Sequence, residues 1–205
     1  MQTTDIVFQL IILLFSAIIH EVAHGYAALF QGDTTAKYEN RLTLNPLRHI
    51  DPFGSVILPL MLFLFHSPVL FGWAKPVPFN PYNLRNRKWG EAIVAAAGPA
   101  VNIIIALIFG LILRFGITSF PPPAVLILEM IVLINVMLAV FNLMPIPPLD
   151  GSKILFAFLP ARAMGIRKFM EQYSMFFVLV FIFLLWSYIF PVVTILFSWI
   201  TGLQF

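Results

Sequence analysis

Apolar residues are gathered into long runs along this chain, separated by polar segments rich in proline. Four runs, 6–30, 91–113, 124–144 and 173–200, read as membrane-spanning helices. The first has 25 residues, and at about 1.5 Å per residue it reaches roughly 37 Å, enough to cross a bilayer. Thr3, Thr4 or Asp5 can cap its start and Gly32 its end. The last run should bend at Pro191. A fifth apolar stretch, 53–72, is interrupted by Pro59 and by His66-Ser67-Pro68.

Two short segments follow a different period. Arg41-Leu42-Thr43-Leu44-Asn45 alternates polar and apolar residues until Asn45-Pro46 stops it. In "WAKPVPFNP" (73–81) the alternation includes prolines, which suits an edge strand. Strands are therefore expected at about 41–45 and 75–79. "MPIPPLDGSKIL" (144–155) breaks the helical pattern with three prolines. There is no internal repeat and no low-complexity linker.

Composition settles the class. Of 205 residues, 60% are hydrophobic and 10% charged, against roughly half and a quarter in a soluble domain. The length suits a single integral membrane domain over 1–205 without a sizeable soluble module. Cysteine is absent, which excludes disulfides and thiolate metal sites and leaves the redox compartment open. The N-terminal "MQTTDIVF" has no basic residue and no A-x-A site, so the first run is expected to be a retained helix. The net charge of +3 is not gathered into a basic patch with interleaved aromatics, and no nucleic-acid partner is expected.

The placement of charge reports topology instead. Of the 12 basic residues, all but Arg114 lie in 31–52, 73–90 and 151–171. The positive-inside rule puts all three segments on the cytoplasmic side. That requires 53–72 to dip into the membrane and return, turning near His66; a full crossing is the rival. Non-helical backbone at that depth must be covered by protein or water. The expected fold is an all-α polytopic membrane protein with four crossings, both termini outside, one re-entrant segment and a small β-hairpin-like edge.

The first run carries "HEVAH" at 20–24. His20 and His24 are four apart and leave one face of the helix, where two imidazoles can bind one Zn²⁺. Glu21, one residue on, can take a proton from the metal's water; this is the H-E-x-x-H arrangement. The two histidines could instead bond between helices, but ionisable groups inside an apolar run are functional by default. A third ligand is needed. Glu91 and Glu129 lie near span ends and read as interfacial acids. Asp150 follows the proline-broken "NLMPIPPL", with Gly151 allowing an unusual turn, and the next residues are apolar again. It can also serve as N-cap of a 151–159 helix. His49 reads as solvated in a basic loop, and His66 is a weaker alternative ligand. Ala92, Ala96 and Ala100 repeat every four residues, a small face for close helix packing.

Taken together, "HEVAH", "AGPAVN" (97–102) and "FNLMPIPPLDG" (141–151) resemble the site-2 protease family of intramembrane zinc metalloproteases. "RLTLNP" (41–46) and "GWAKPVP" (72–78) are similar to the small bacterial and archaeal members without a PDZ domain. These blocks spread over the chain up to about residue 160. Asn40 stands where the pattern usually has glycine; asparagine tolerates a left-handed backbone nearly as well.

The resemblance implies one zinc ion per chain, held by His20, His24 and Asp150, with Glu21 as catalytic acid/base. It implies that Asn142 helps hold the scissile peptide or its oxyanion, although the residues alone leave Asn142, Asn102 and Asn135 equally as helix–helix hydrogen bonds. The expected reaction is hydrolysis of a locally unwound transmembrane protein or peptide, in a plasma-membrane, multi-pass enzyme whose active site opens toward the cytoplasm. The two strands could receive substrate by β-augmentation, or simply brace the re-entrant segment. The competing classes are a membrane metal-binding or transport protein and a catalytically silent relative that binds helices. The sequence names neither substrate, regulation nor oligomeric state.

Overall fold

A computed structural model of the chain describes residues 3–57, 60–61, 64 and 75–204. Helix α1 is Thr3–Phe30 and the single turn α2 is Thr35–Tyr38; α3 is Gly90–Gly116 and α4 Pro122–Asn142. Two shorter helices follow, α5 (Asp150–Phe158) and α6 (Met164–Gln172). The last span is divided into α7 (Ser174–Val180), a π-helical stretch Phe181–Leu185 and α8 (Trp186–Thr201). Among the described residues, four helical spans are long and apolar enough to cross a membrane: Ile6–Phe30, Gly90–Ser119, Pro122–Asn142 and Ser174–Thr201. Large apolar side chains such as Leu10, Ile104, Phe183 and Trp199 face outward, where a bilayer would cover them.

Helix α3 is the hub, packed against α1, α4, α5 and α8. Its buried row is Gly98, Asn102, Ala106 and Gly110, spaced every four residues. Small side chains here let neighbours approach: a Cβ on Gly110 would lie 2.2 Å from Ile200 Cγ2. The row differs from the expected Ala92-Ala96-Ala100 face, because Ala96 is half-buried and Ala100 exposed. Farther along, Ala106, Leu113, Val132, Val136, Val193 and Phe197 close the apolar core between α3, α4 and α8.

Two expectations need correction. Neither 41–45 nor 75–79 forms a strand. Pro76 and Pro78 have no N–H, Lys75 N–H is engaged with His49 O and Val77 N–H with Glu21, and just beyond the segment Asn80 N–H bonds Asp33. Arg41, which is buried, donates to the carbonyls of Arg48, Lys75 and Pro76. The two segments are joined by a guanidinium instead of a ladder. The last span carries a π-helical stretch at Phe181–Leu185, and Pro191 lies inside α8. The other correction is Gly151, which has no positive φ; its lack of a Cβ serves close packing, described below. Of the expected re-entrant segment, Pro52–Ile57 is π-helical, while the turn at His66-Ser67-Pro68 lies outside the described residues.

Two backbone expectations hold. Gly32 ends α1 at φ +102°, and Asn40 takes the left-handed conformation at φ +52°. Between them Asp33 fastens the end of α1. Its carboxylate accepts hydrogen bonds from Thr35 N, Thr35 Oγ1, Asn80 N and Asn83 Nδ2. Burial alone would raise its pKa, but these bonds hold it below the ordinary carboxylate value.

Candidate metal centre

His20 and His24 leave one face of α1, as their spacing requires, and both are buried. Their Nε2 atoms are 3.0 Å apart. Asp150 arrives from the start of α5, 3.1 Å from His20 Nε2 and 3.2 Å from His24 Nε2 through the same oxygen, Oδ2. The Asp150 carboxylate does not cap α5: Leu149 is the N-cap residue and Asp150 stands at the first helical position. Its approach depends on Gly151. A Cβ there would lie 2.1 Å from Leu143 O and 2.5 Å from Met144 O, so α5 rests directly on the backbone that leaves α4.

Each ring has an acceptor behind it. His24 Nδ1 donates to the Val94 carbonyl at 2.7 Å, and His20 Nδ1 lies 2.6 Å from Asn102 Oδ1. With Nδ1 carrying the ring hydrogen, neutral imidazole presents a bare lone pair at Nε2. Two such nitrogens and a carboxylate oxygen then face one another at 3.0–3.2 Å. Electron-rich atoms this close need a proton or a cation among them. Tetrahedral zinc with bonds of about 2.0–2.1 Å separates its donors by about 3.3–3.4 Å. The observed spacing is within a few tenths of that, so the donor set fits a zinc-sized ion.

Space for the rings is made by Gly98. A Cβ at that position would lie 2.5 Å from His24 Nε2 and 2.6 Å from His20 Nε2. Val94, Gly98 and Asn102 are successive positions, four apart, on α3. The outer two hold the imidazoles and the middle one leaves room for them.

Glu21 lies beside this group, within 4.8 Å of the histidine donor atoms. Its Oε2 accepts from Val77 N–H at 2.8 Å. The Pro76–Val77 peptide has Arg41 on its carbonyl, at 3.1 Å, and Glu21 on its N–H. Arg41 and Gly98 were not read as site residues from sequence. The only available signals were an arginine within an otherwise alternating segment and a glycine before proline.

The remaining candidates are placed elsewhere. Asn142 ends α4 and donates to Leu138 O at 3.0 Å, within its own helix. His49, expected in solvent, is buried, with Nε2 on the Thr43 carbonyl at 2.7 Å. Its own carbonyl accepts from Lys75 N–H at 2.8 Å. Glu91 pairs with Arg167 at 3.2 Å, in keeping with an interfacial acid. Glu129 lies on α4 beside Leu126, Leu133 and Phe197. His66 lies outside the described residues.

Comparison with known proteins gives a consistent class. The family model described as Peptidase family M50 matches residues 121–185. A Bacillus subtilis (strain 168) protein named "Putative zinc metalloprotease YwhC" is 36% identical over 172 residues, which is 80% of this chain and 74% of that protein. "Putative zinc metalloprotease Rip2" of Mycolicibacterium smegmatis is 32% identical over 67% of this chain and 52% of its own length. "Zinc metalloprotease MJ0392" of Methanocaldococcus jannaschii is 31% identical over 73% of this chain and 34% of its own. No solved structure matches the chain.

Proposed function

The chain belongs to peptidase family M50, and we propose that it is an intramembrane zinc metalloprotease cleaving peptide bonds in or near transmembrane segments of its substrates. The observation that carries this reading is the convergence of His20 Nε2, His24 Nε2 and Asp150 Oδ2 within 3.0–3.2 Å, inside a bundle of apolar helices. These residues would hold one zinc ion per chain and leave a fourth position open, as a catalytic site requires. Zinc there would supply Lewis acidity toward a water nucleophile and the scissile carbonyl.

In this reading Glu21 is the general base. It takes the water proton and later passes it to the leaving amine. Val77 N–H fixes Oε2, which leaves Oε1 to handle the proton. Asn142 would release Leu138 O and turn its amide toward the oxyanion of the substrate, a donor role suited to a side-chain amide. The substrate is a membrane-embedded protein or peptide, unwound locally so that its scissile bond leaves its own helix. His20 lies ten residues before the end of α1, about 15 Å along the axis. Water would enter from that end, and the clustering of basic residues in 31–52, 73–90 and 151–171 supports a cytoplasmic opening there.

Glu21→Gln separates this reading from a metal transporter or a silent helix-binding relative. The variant should keep its zinc and lose cleavage of a model membrane peptide by about 10²–10⁴-fold. Cleavage at the wild-type rate would remove Glu21 as the base. A protein free of zinc, unchanged by His20→Ala and Asp150→Ala, would remove the metalloprotease reading altogether.

A further inference from the structure

Behind His20, away from Asp150, three polar residues from three helices meet in the apolar interior. They are Ser16 on α1, Asn102 on α3 and Asn135 on α4; both asparagines are 0% exposed and Ser16 is 5% exposed. Polar groups at such depth are costly unless fully paired, and the pairing here has a direction. Asn135 Nδ2 donates to the Ile131 carbonyl at 2.8 Å and to Ser16 Oγ at 3.0 Å. A carbonyl only accepts, so Ile131 O fixes which end of the Asn135 amide is nitrogen. Asn135 Oδ1 must then face Asn102, and it accepts from Asn102 Nδ2 at 2.8 Å. That turns Asn102 Oδ1 toward His20 Nδ1, 2.6 Å away. The final acceptor obliges His20 to carry its ring hydrogen on Nδ1 and to present Nε2 as a lone pair to Asp150 and His24.

We infer that Asn102 is a positioning residue for His20, and that Asn135 and Ser16 hold its amide in the required sense. The relay begins at a backbone carbonyl and ends at a proposed metal ligand, so the inference rests on the zinc reading above. His24 needs no such relay, since a backbone carbonyl, Val94 O, already fixes it. The two histidines are therefore separable by mutation: only the orientation of His20 depends on side chains.

Zinc affinity, measured by chelator competition on the full chain in detergent, tests this, with the Co²⁺ d–d spectrum as a second readout. Asn102→Leu should weaken zinc about 10–100-fold, the usual effect of losing the partner behind a ligating histidine. Asn102→Leu alone also orphans Asn135 Oδ1 and can disturb the fold. The double variant Asn102→Leu/Asn135→Leu removes that orphan and leaves an apolar contact between α3 and α4. It should recover thermal stability relative to the single variant, yet still bind zinc weakly and give an altered Co²⁺ spectrum. Wild-type zinc affinity and Co²⁺ spectrum in the double variant would show that the asparagines only pack helices and overturn the inference. His20→Ala is run alongside. If it also keeps wild-type affinity, the metal reading has failed, and the inference with it.

Discussion

Adding one methyl group to α3 should weaken the site. Gly98→Ala replaces a helix-weakening residue with the best helix former, so propensity alone predicts a gain of up to about 1 kcal/mol. The surroundings predict the opposite. The new Cβ would sit 2.5 Å from His24 Nε2 and 2.6 Å from His20 Nε2 and Cε1. Reaching ordinary contact requires about 1 Å of separation. If α3 backs away, it stretches the bonds that its own Val94 and Asn102 make to the two rings, now 2.7 and 2.6 Å, beyond hydrogen-bonding range. If the rings rotate instead, their Nε2 atoms leave the converging geometry. Two buried hydrogen bonds at about 1 kcal/mol each, or the about 1–3 kcal/mol of an overpacked core, put the cost near 2 kcal/mol. Carried by metal binding, about 2 kcal/mol corresponds to roughly 30-fold weaker zinc. Chelator competition on the purified variant measures this, with Ala100→Gly on the exposed face of the same helix as control. Wild-type zinc affinity in Gly98→Ala would refute the claim that the missing side chain makes the space.

Other expectations follow from the same packing. Gly151→Ala drives a Cβ into Leu143 O and Met144 O, backbone atoms that cannot swing aside, so α5 must move and carry Asp150 with it; zinc content after dialysis should fall well below one equivalent. Arg41→Lys keeps the charge but cannot hold the carbonyls of Arg48, Lys75 and Pro76 together. It should lower hydrolysis by about tenfold or more, at about 1.5 kcal/mol per charge-assisted bond lost, while zinc content stays unchanged. Asp33 has a folded-state pKa below its ordinary value, so its stabilisation is present above about pH 4 and lost as pH falls through the lower, folded value. The difference in thermal midpoint between wild type and Asp33→Ala should accordingly shrink on acidification below that range and stay constant between pH 6 and 7.

The spans and the histidine pair were legible because each is a local property of the chain. A run of apolar residues needs no partner to be recognised, and residues four apart share a helix face wherever the helix lies. Asp150 was legible for a related reason: prolines 145, 147 and 148 forbid an ordinary helix, which marks the carboxylate beyond them as specially placed. Gly151 was noticed for a turn it does not make. A sequence shows that a Cβ is missing, not whether the vacancy serves a φ angle or a neighbour. The edge segments misled through the same limit. Alternation at 41–45 and 75–79 is a sound strand signal, but it cannot show that Arg41 occupies the carbonyls between them.

What stayed hidden depends on the register of α1 against α3. "AGPAVN" offers two competing four-residue rows, and the alanine row looks the better packing face because methyl groups pack well. The buried row is the other one, and its members do different things. Val94 contributes only a backbone carbonyl, which no side-chain pattern can reveal. Gly98 contributes an absence, and Asn102 an oxygen whose direction is set on a third helix by Ile131 O. Each becomes meaningful only when the imidazoles of α1 are laid against them. A shift of α3 by one residue would rotate its face by about 100° and remove all three from the rings at once. Farther along the same helix, Gly110 admits Ile200, and Ala106 and Leu113 close the core against α4 and α8. Displacing α3 there would carry Val94, Gly98 and Asn102 away from the rings, because all three ride on the same helix. A substitution such as Gly110→Leu, remote from both histidines, belongs with the site variants rather than with the packing ones.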